Sequence, residues 1–194
     1  PPGCGKTTIL RDIIRHISYG IGCVPLKVAI VDERSEIASS HVGIPQNDIG
    51  IRTDVLDMGL KSEGMIMLVR SMSPQVVAVD EIGSMEDVMA IKQIINCGCH
   101  ILASIHGYGI ADCMNRRELA GMFGANGFKR IVVLSDKNGA GTIEEMRAVK
   151  NYAGNICKDN PRLFNILQVS FLKEKADFLK KDIPFPTKEK KIKF

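Results

Sequence analysis

Two short stretches carry residue types that could handle a phosphate. The first is PPGCGKTT, residues 1–8. Gly3 and Gly5 can take backbone torsions, and allow a close approach, that a Cβ would block. A helical pattern follows at once, with Ile9, Leu10, Ile13, Ile14 and Ile17 at helical spacing. The amides of Gly3, Cys4, Gly5, Lys6, Thr7 and Thr8 can therefore converge at a helix N-terminus, where the helix dipole favours an anion. Lys6 would add a point charge at the β- and γ-oxygens of ATP, and Thr7 a hydroxyl for Mg²⁺. The full phosphate-loop pattern, G-x-x-x-x-G-K-[ST], calls for a Gly immediately before Pro1 and a strand before that. The stretch as given is thus expected to begin one residue inside the cradle and to bind ATP weakly.

The second stretch is VVAVDE, residues 76–81. An apolar run ending in two adjacent acids is the Walker B pattern. Asp80 would hold Mg²⁺ through water at the strand end. Glu81 is the favoured base for the attacking water. Competitors exist in VAIVDERSEIA, residues 28–38. There Glu33 and Glu36 could also activate water, and Glu33 is read as a supporting ligand or polariser. In ILASIHG, residues 101–107, Ser104 and His106 alternate onto one strand face. His106 could sense the γ-phosphate or orient water.

The elements that would position these residues alternate. Apolar runs rich in β-branched residues at LKVAIVD, QVVAVDEIG, HILASIHG and FKRIVVLSD read as strands. Between them lie helical patterns at 62–72, capped by Ser62, at SMEDVMAIKQIINCG from Ser84, and at the start of IADCMNRRELAGMFGANG. KNGAG is a tight turn into a fifth strand, TIEEMRAVK. Residues 41–58, rich in Gly, Pro, Asn and Asp, read as a long loop. The methionines around 58–72 read as helix core. Strand–helix alternation implies an α/β domain, with a mostly parallel sheet, helices on both faces and a C-terminal antiparallel hairpin. The expected division is a domain at 1–150 and an extension at 151–194, helical after Pro161 and then basic and disordered.

Composition narrows the function classes. The 194 residues are 45% hydrophobic and 25% charged, ordinary for an α/β domain. The net charge is +4, and eight Lys against four acids in residues 172–194 account for all of it. The main domain therefore has no bulk electrostatic reason to seek nucleic acid. Six irregularly spaced Cys read as reduced structural thiols, and CGCH (97–100) as a helix-to-strand turn. No run is apolar enough for a membrane span.

One strand, KVAIVD, separates the two phosphate motifs, and Glu follows the Walker Asp. This resembles the additional-strand, catalytic-Glu division of P-loop ATPases. DERSEIA and SIHG resemble the Asp and His boxes of RecA-like type II/type IV secretion ATPases. VDERSEIA, KSEGM with RSMSP, and VDEIG are similar still more closely to the stage III sporulation protein AA family of endospore-forming Firmicutes. That resemblance covers about residues 1–150. It implies a RecA-like ATPase using ATP and Mg²⁺ in the mother-cell cytoplasm. It also implies self-association into a hexamer, sporulation membrane-channel proteins as partners, and peripheral membrane contact through them. The competing reading is a nucleic-acid-dependent ATPase of RecA or AAA+ type.

Overall fold

The computed structural model describes residues 3–123, 127–148 and 169–170. Seven strands form one sheet in the order β2-β1-β3-β4-β7-β5-β6. They are β1 (Val28–Asp32), β2 (Thr53–Asp57), β3 (Val76–Val79), β4 (His100–Ala103), β5 (Arg130–Ser135), β6 (Thr142–Ala148) and β7 (Val169–Ser170). All pairings are parallel except β5 with β6, the expected hairpin, whose register shifts between Val133 and Leu134.

β1 and β3 are buried at every residue. Their side chains alternate between two cores. On one face α1 (Lys6–Tyr19) lays Leu10, Ile14 and Ile17 against Val28, Ile30, Val76, Ala78 and Leu102. Each such buried aliphatic contributes about 1.5–3 kcal/mol, so the N-terminal turn of α1 is anchored from below. On the other face, α2 (Lys61–Met72), α3 (Met85–Asn96) and α4 (Ile110–Asn115) cover Ala29, Val31, Val77, Val79 and Ile101. A 3₁₀ turn, Ala120–Met122, follows α4. The mostly parallel α/β sheet with helices on both faces is the architecture expected from the sequence.

Several local expectations need correction. Residues 41–58 are not all loop, because β2 occupies Thr53–Asp57 and pairs in register with β1. Ser62 does not cap α2; the cap position is Leu60, without a side-chain bond. Ser84 does cap α3, in a reciprocal box with Asp87. Of the methionines near α2, Met65 is in the core, but Met58, Met67 and Met72 are exposed, since only one side of the helix meets the sheet. In the stretch expected to be helical after Pro161, Val169 and Ser170 are extended and bridge β4 to β5. The rest of the 151–194 extension lies outside the described residues. CGCH is a helix-to-strand turn, and Cys4, Cys23, Cys97, Cys99 and Cys113 are free thiols.

Candidate functional site

The site is built from the C-terminal ends of β1, β3 and β4 and the N-terminus of α1. Gly3 and Gly5 both have positive φ, 77° and 85°, and Gly5 is the left-handed residue from which α1 starts. A Cβ at Gly5 would lie 2.8 Å from the Gly141 nitrogen, because the β5–β6 turn packs against the loop. The Gly141 amide donates to the Cys4 carbonyl at 2.8 Å and ties the two together. The Cys4 side chain is buried in the α1 core, so only its backbone can face a ligand. The first turn of α1 has no acid, which leaves the positive end of the helix uncompensated by its own residues.

Thr7 Oγ1 donates to Asp80 Oδ2 at 2.9 Å, across 73 positions of sequence. Asp80 Oδ1 also accepts from the Ser104 hydroxyl and from the Glu81 amide. The Glu81 amide is shared with Ser104 Oγ, at 3.0 Å. β3 thus ends in a tight turn, and Glu81 sits at φ 52°, a left-handed conformation that a non-glycine residue adopts only at a cost.

The turn aims the Glu81 carboxylate at the side chains of His106 and Arg34. His106 Nε2 donates to Oε1; a carboxylate can only accept, so that nitrogen carries the proton. Arg34 Nη1 pairs with Oε2 at 2.9 Å. Partial burial pushes the Glu81 carboxyl up. The His106 hydrogen bond and the charges of His106, Arg34 and Lys6 outweigh it and leave the group below the usual carboxylate range.

The acids at the end of β1 have other partners. Asp32, at the head of DERSEIA, is 1% exposed. It accepts the amides of Glu36, Ile37 and Ala38 at 2.8–3.2 Å and organises its own loop. The Glu33 carboxylate meets Lys61 Nζ at 3.1 Å. Lys61 also donates to the Glu81 carbonyl, at 2.7 Å. The structure therefore brings Thr7, Asp80, Glu81, Ser104 and His106 together, with Glu33 one step outside. Gly3 is exposed on the loop and Thr8 in the first turn of α1. Arg34 and Lys61 escaped sequence reasoning. The one signal for Lys61 was a cation at the first position of a helix, where the dipole disfavours it.

A small pocket is lined by Asp32, Glu33, Arg34, Glu36, Lys61, Asp80 and Glu81. Its lining combines five carboxylates with the cations of Arg34 and Lys61. Such a cluster can order a water beside an anion. Among the described residues, no helix is long and apolar enough to cross a membrane.

The chain is similar to the stage III sporulation protein AA of Bacillus subtilis, 46% identical over 147 residues, covering 75% of this chain and 48% of that protein. It is 32% identical to the uncharacterized protein ycf45 of Porphyra purpurea and 30% identical to the protein SEEDLING PLASTID DEVELOPMENT 1 of Arabidopsis thaliana. Each of these matches spans 125 residues and 63% of this chain, with 21% and 18% of the relatives covered. Among solved structures, the X-ray structure of the Legionella pneumophila ATPase DotB matches at 22% identity and a TM-score of 0.47, over 64% of this chain and 32% of that one. The chain thus spans about half or less of the length of these relatives. Residues 1–154 match the family described as "Sporulation stage III, protein AA", and the chain belongs to that family.

Proposed function

We propose that residues 1–150 form the ATP-hydrolysing unit of a self-associating ATPase serving a membrane-spanning assembly of the sporulating cell. The observation that carries the catalytic part is the 2.9 Å contact of Thr7 with Asp80, with Glu81 adjoining it. Two motifs far apart in sequence meet at one point, as phosphate chemistry requires. The name of the Bacillus subtilis relative supports the sporulation part. The neutral balance of the main domain favours a protein assembly over nucleic acid as its partner.

In this reading the backbone of Gly3–Thr8 cradles the phosphates and Lys6 neutralises the terminal ones. Thr7 and Asp80 are hard oxygen donors, and they fit Mg²⁺, which takes one or two carboxylates plus phosphate oxygens and waters. Mg²⁺ would supply charge stabilisation of the transferring phosphoryl group. Glu81 takes the proton of the attacking water. His106 holds the carboxylate in place, and Glu33 supports from the side. Partners, assembly in the mother-cell cytoplasm and a hexameric state follow from the family reading.

The test is ATP binding and turnover in the full chain. Lys6→Ala should lose useful ATP affinity, because the triphosphate loses its nearest fixed cation. Unchanged affinity would reject the cradle. Turnover that appears only with added DNA or RNA would favour the nucleic-acid-dependent alternative.

A further inference from the structure

Lys61 is an unusual lysine. It stands at the first position of α2, where the helix dipole repels a cation. Only 13% of its side chain is exposed. Burying an ammonium is costly unless anions and acceptors repay it. Its place is not dictated by helix formation, so its contacts must explain it.

Those contacts lie in the site. The ammonium donates to the Glu81 carbonyl at 2.7 Å and pairs with Glu33 Oε2 at 3.1 Å. It reaches them because α2 packs unusually close to the sheet at Gly64, where a Cβ would lie 2.6 Å from Leu56 and 3.2 Å from Val31. The close approach sets the first turn of α2 beside the ends of β1 and β3.

Glu81 itself occupies a left-handed backbone conformation, φ 52°. Such a conformation persists only where its surroundings over-determine it. The Ile82 amide bonds the Ser104 carbonyl, and the Glu81 amide bonds Ser104 Oγ and Asp80. The Glu81 carbonyl is the remaining handle, and Lys61 holds it.

We propose that Lys61 is a positioning residue for hydrolysis: it fixes the backbone turn that aims the Glu81 carboxylate and ties that turn to Glu33. It acts through the Glu81 backbone, whose carbonyl it holds. This inference rests on Glu81 being the base.

The test is a kinetic comparison of Lys61→Met, Glu81→Gln and the double variant in the full chain. Misplacing a reacting group by about 1 Å can cost on the order of 10²-fold in rate. Lys61→Met is therefore expected to lower kcat by about 10–10²-fold, with the Kd for ATP unchanged. In the Glu81→Gln background the same substitution should cost nothing further, since Lys61 acts through the missing base. The acidic limb of the pH–rate profile should stay in place, because the ammonium meets the carbonyl and not the carboxylate. A normal kcat in Lys61→Met, or a loss that repeats in full on top of Glu81→Gln, would overturn the proposal. If Lys61→Met does not fold, Lys61→Gln, which keeps a donor but not the reach, is read against the same outcomes. Normal hydrolysis by Glu81→Gln alone would instead reject the base assignment.

Discussion

Neighbouring strands β1 and β3 end in nearly the same words, VAIVDE and VVAVDE. Both strands, Val28–Asp32 and Val76–Val79, are fully buried, and they pair in parallel. Yet the two acid pairs do different things. Asp32 is turned into its own loop, where three backbone amides saturate it. Asp80 reaches out to Thr7 and Ser104. Glu33 is exposed and meets a lysine, whereas Glu81 is held at both carboxylate oxygens in a left-handed turn. The neighbour decides: β3 has β4, with Ser104 and His106, on its far side, whereas β1 has the edge strand β2. The same local chemistry serves as scaffold in one place and joins the candidate site in the other.

The largest test of this contrast compares the two glutamates. Glu81→Gln keeps shape and should keep ATP binding, but loss of a general base costs about 10²–10⁴-fold in turnover. Glu33→Gln should cost less, because it acts from outside the Thr7–Asp80 contact. Steady-state hydrolysis at saturating ATP measures both. A larger loss in Glu33→Gln would move the base to the end of β1.

Next come the two aspartates. Asp32→Asn places an NH₂ against amide donors in a buried loop, and hydrogen bonds to a charged acceptor are worth about 1.5–3 kcal/mol. Unfolding by urea should show a loss of about that size. Asp80→Asn should cost less stability and lose the Mg²⁺-dependent part of ATP binding. Equal stability losses would mean that both aspartates are scaffold.

The smallest effect sharpens the electrostatics around Glu81. Arg34 is 64% exposed, so Arg34→Gln should change stability by less than about 1 kcal/mol. Its charge, however, helps hold the Glu81 carboxyl below the usual range. A depressed pKa keeps the base deprotonated as pH falls. Removing Arg34 raises it, so the acidic limb of the pH–rate profile should move to higher pH. An unmoved limb would show that His106 and Lys6 suffice. The same sign applies to folding: the carboxylate's contribution is present above its unfolded pKa and is lost as pH falls through the depressed folded value.

Periodicity and composition by themselves determined much of this protein. The helix after GKTT, the strands at β1, β3, β4 and β5, the start of α3 near Ser84 and the closing hairpin were all legible, because each rests on local spacing. The residues of the two phosphate motifs were legible for the same reason, since each motif is contiguous. What only the tertiary structure decided involves partners distant in sequence. β2 reads as loop because TDVLD is polar at three of five positions, and only its register with β1 makes it a strand. Asp32 and Asp80 have the same local sequence, and burial against different neighbours divides scaffold from site. Lys61 and Glu81 are twenty positions apart, and the close packing of α2 at Gly64 brings them together. Short-range patterns act through one stretch of backbone and can be read along it. A carboxylate's role depends on which cation, hydroxyl or amide the folded chain brings within about 3 Å of it.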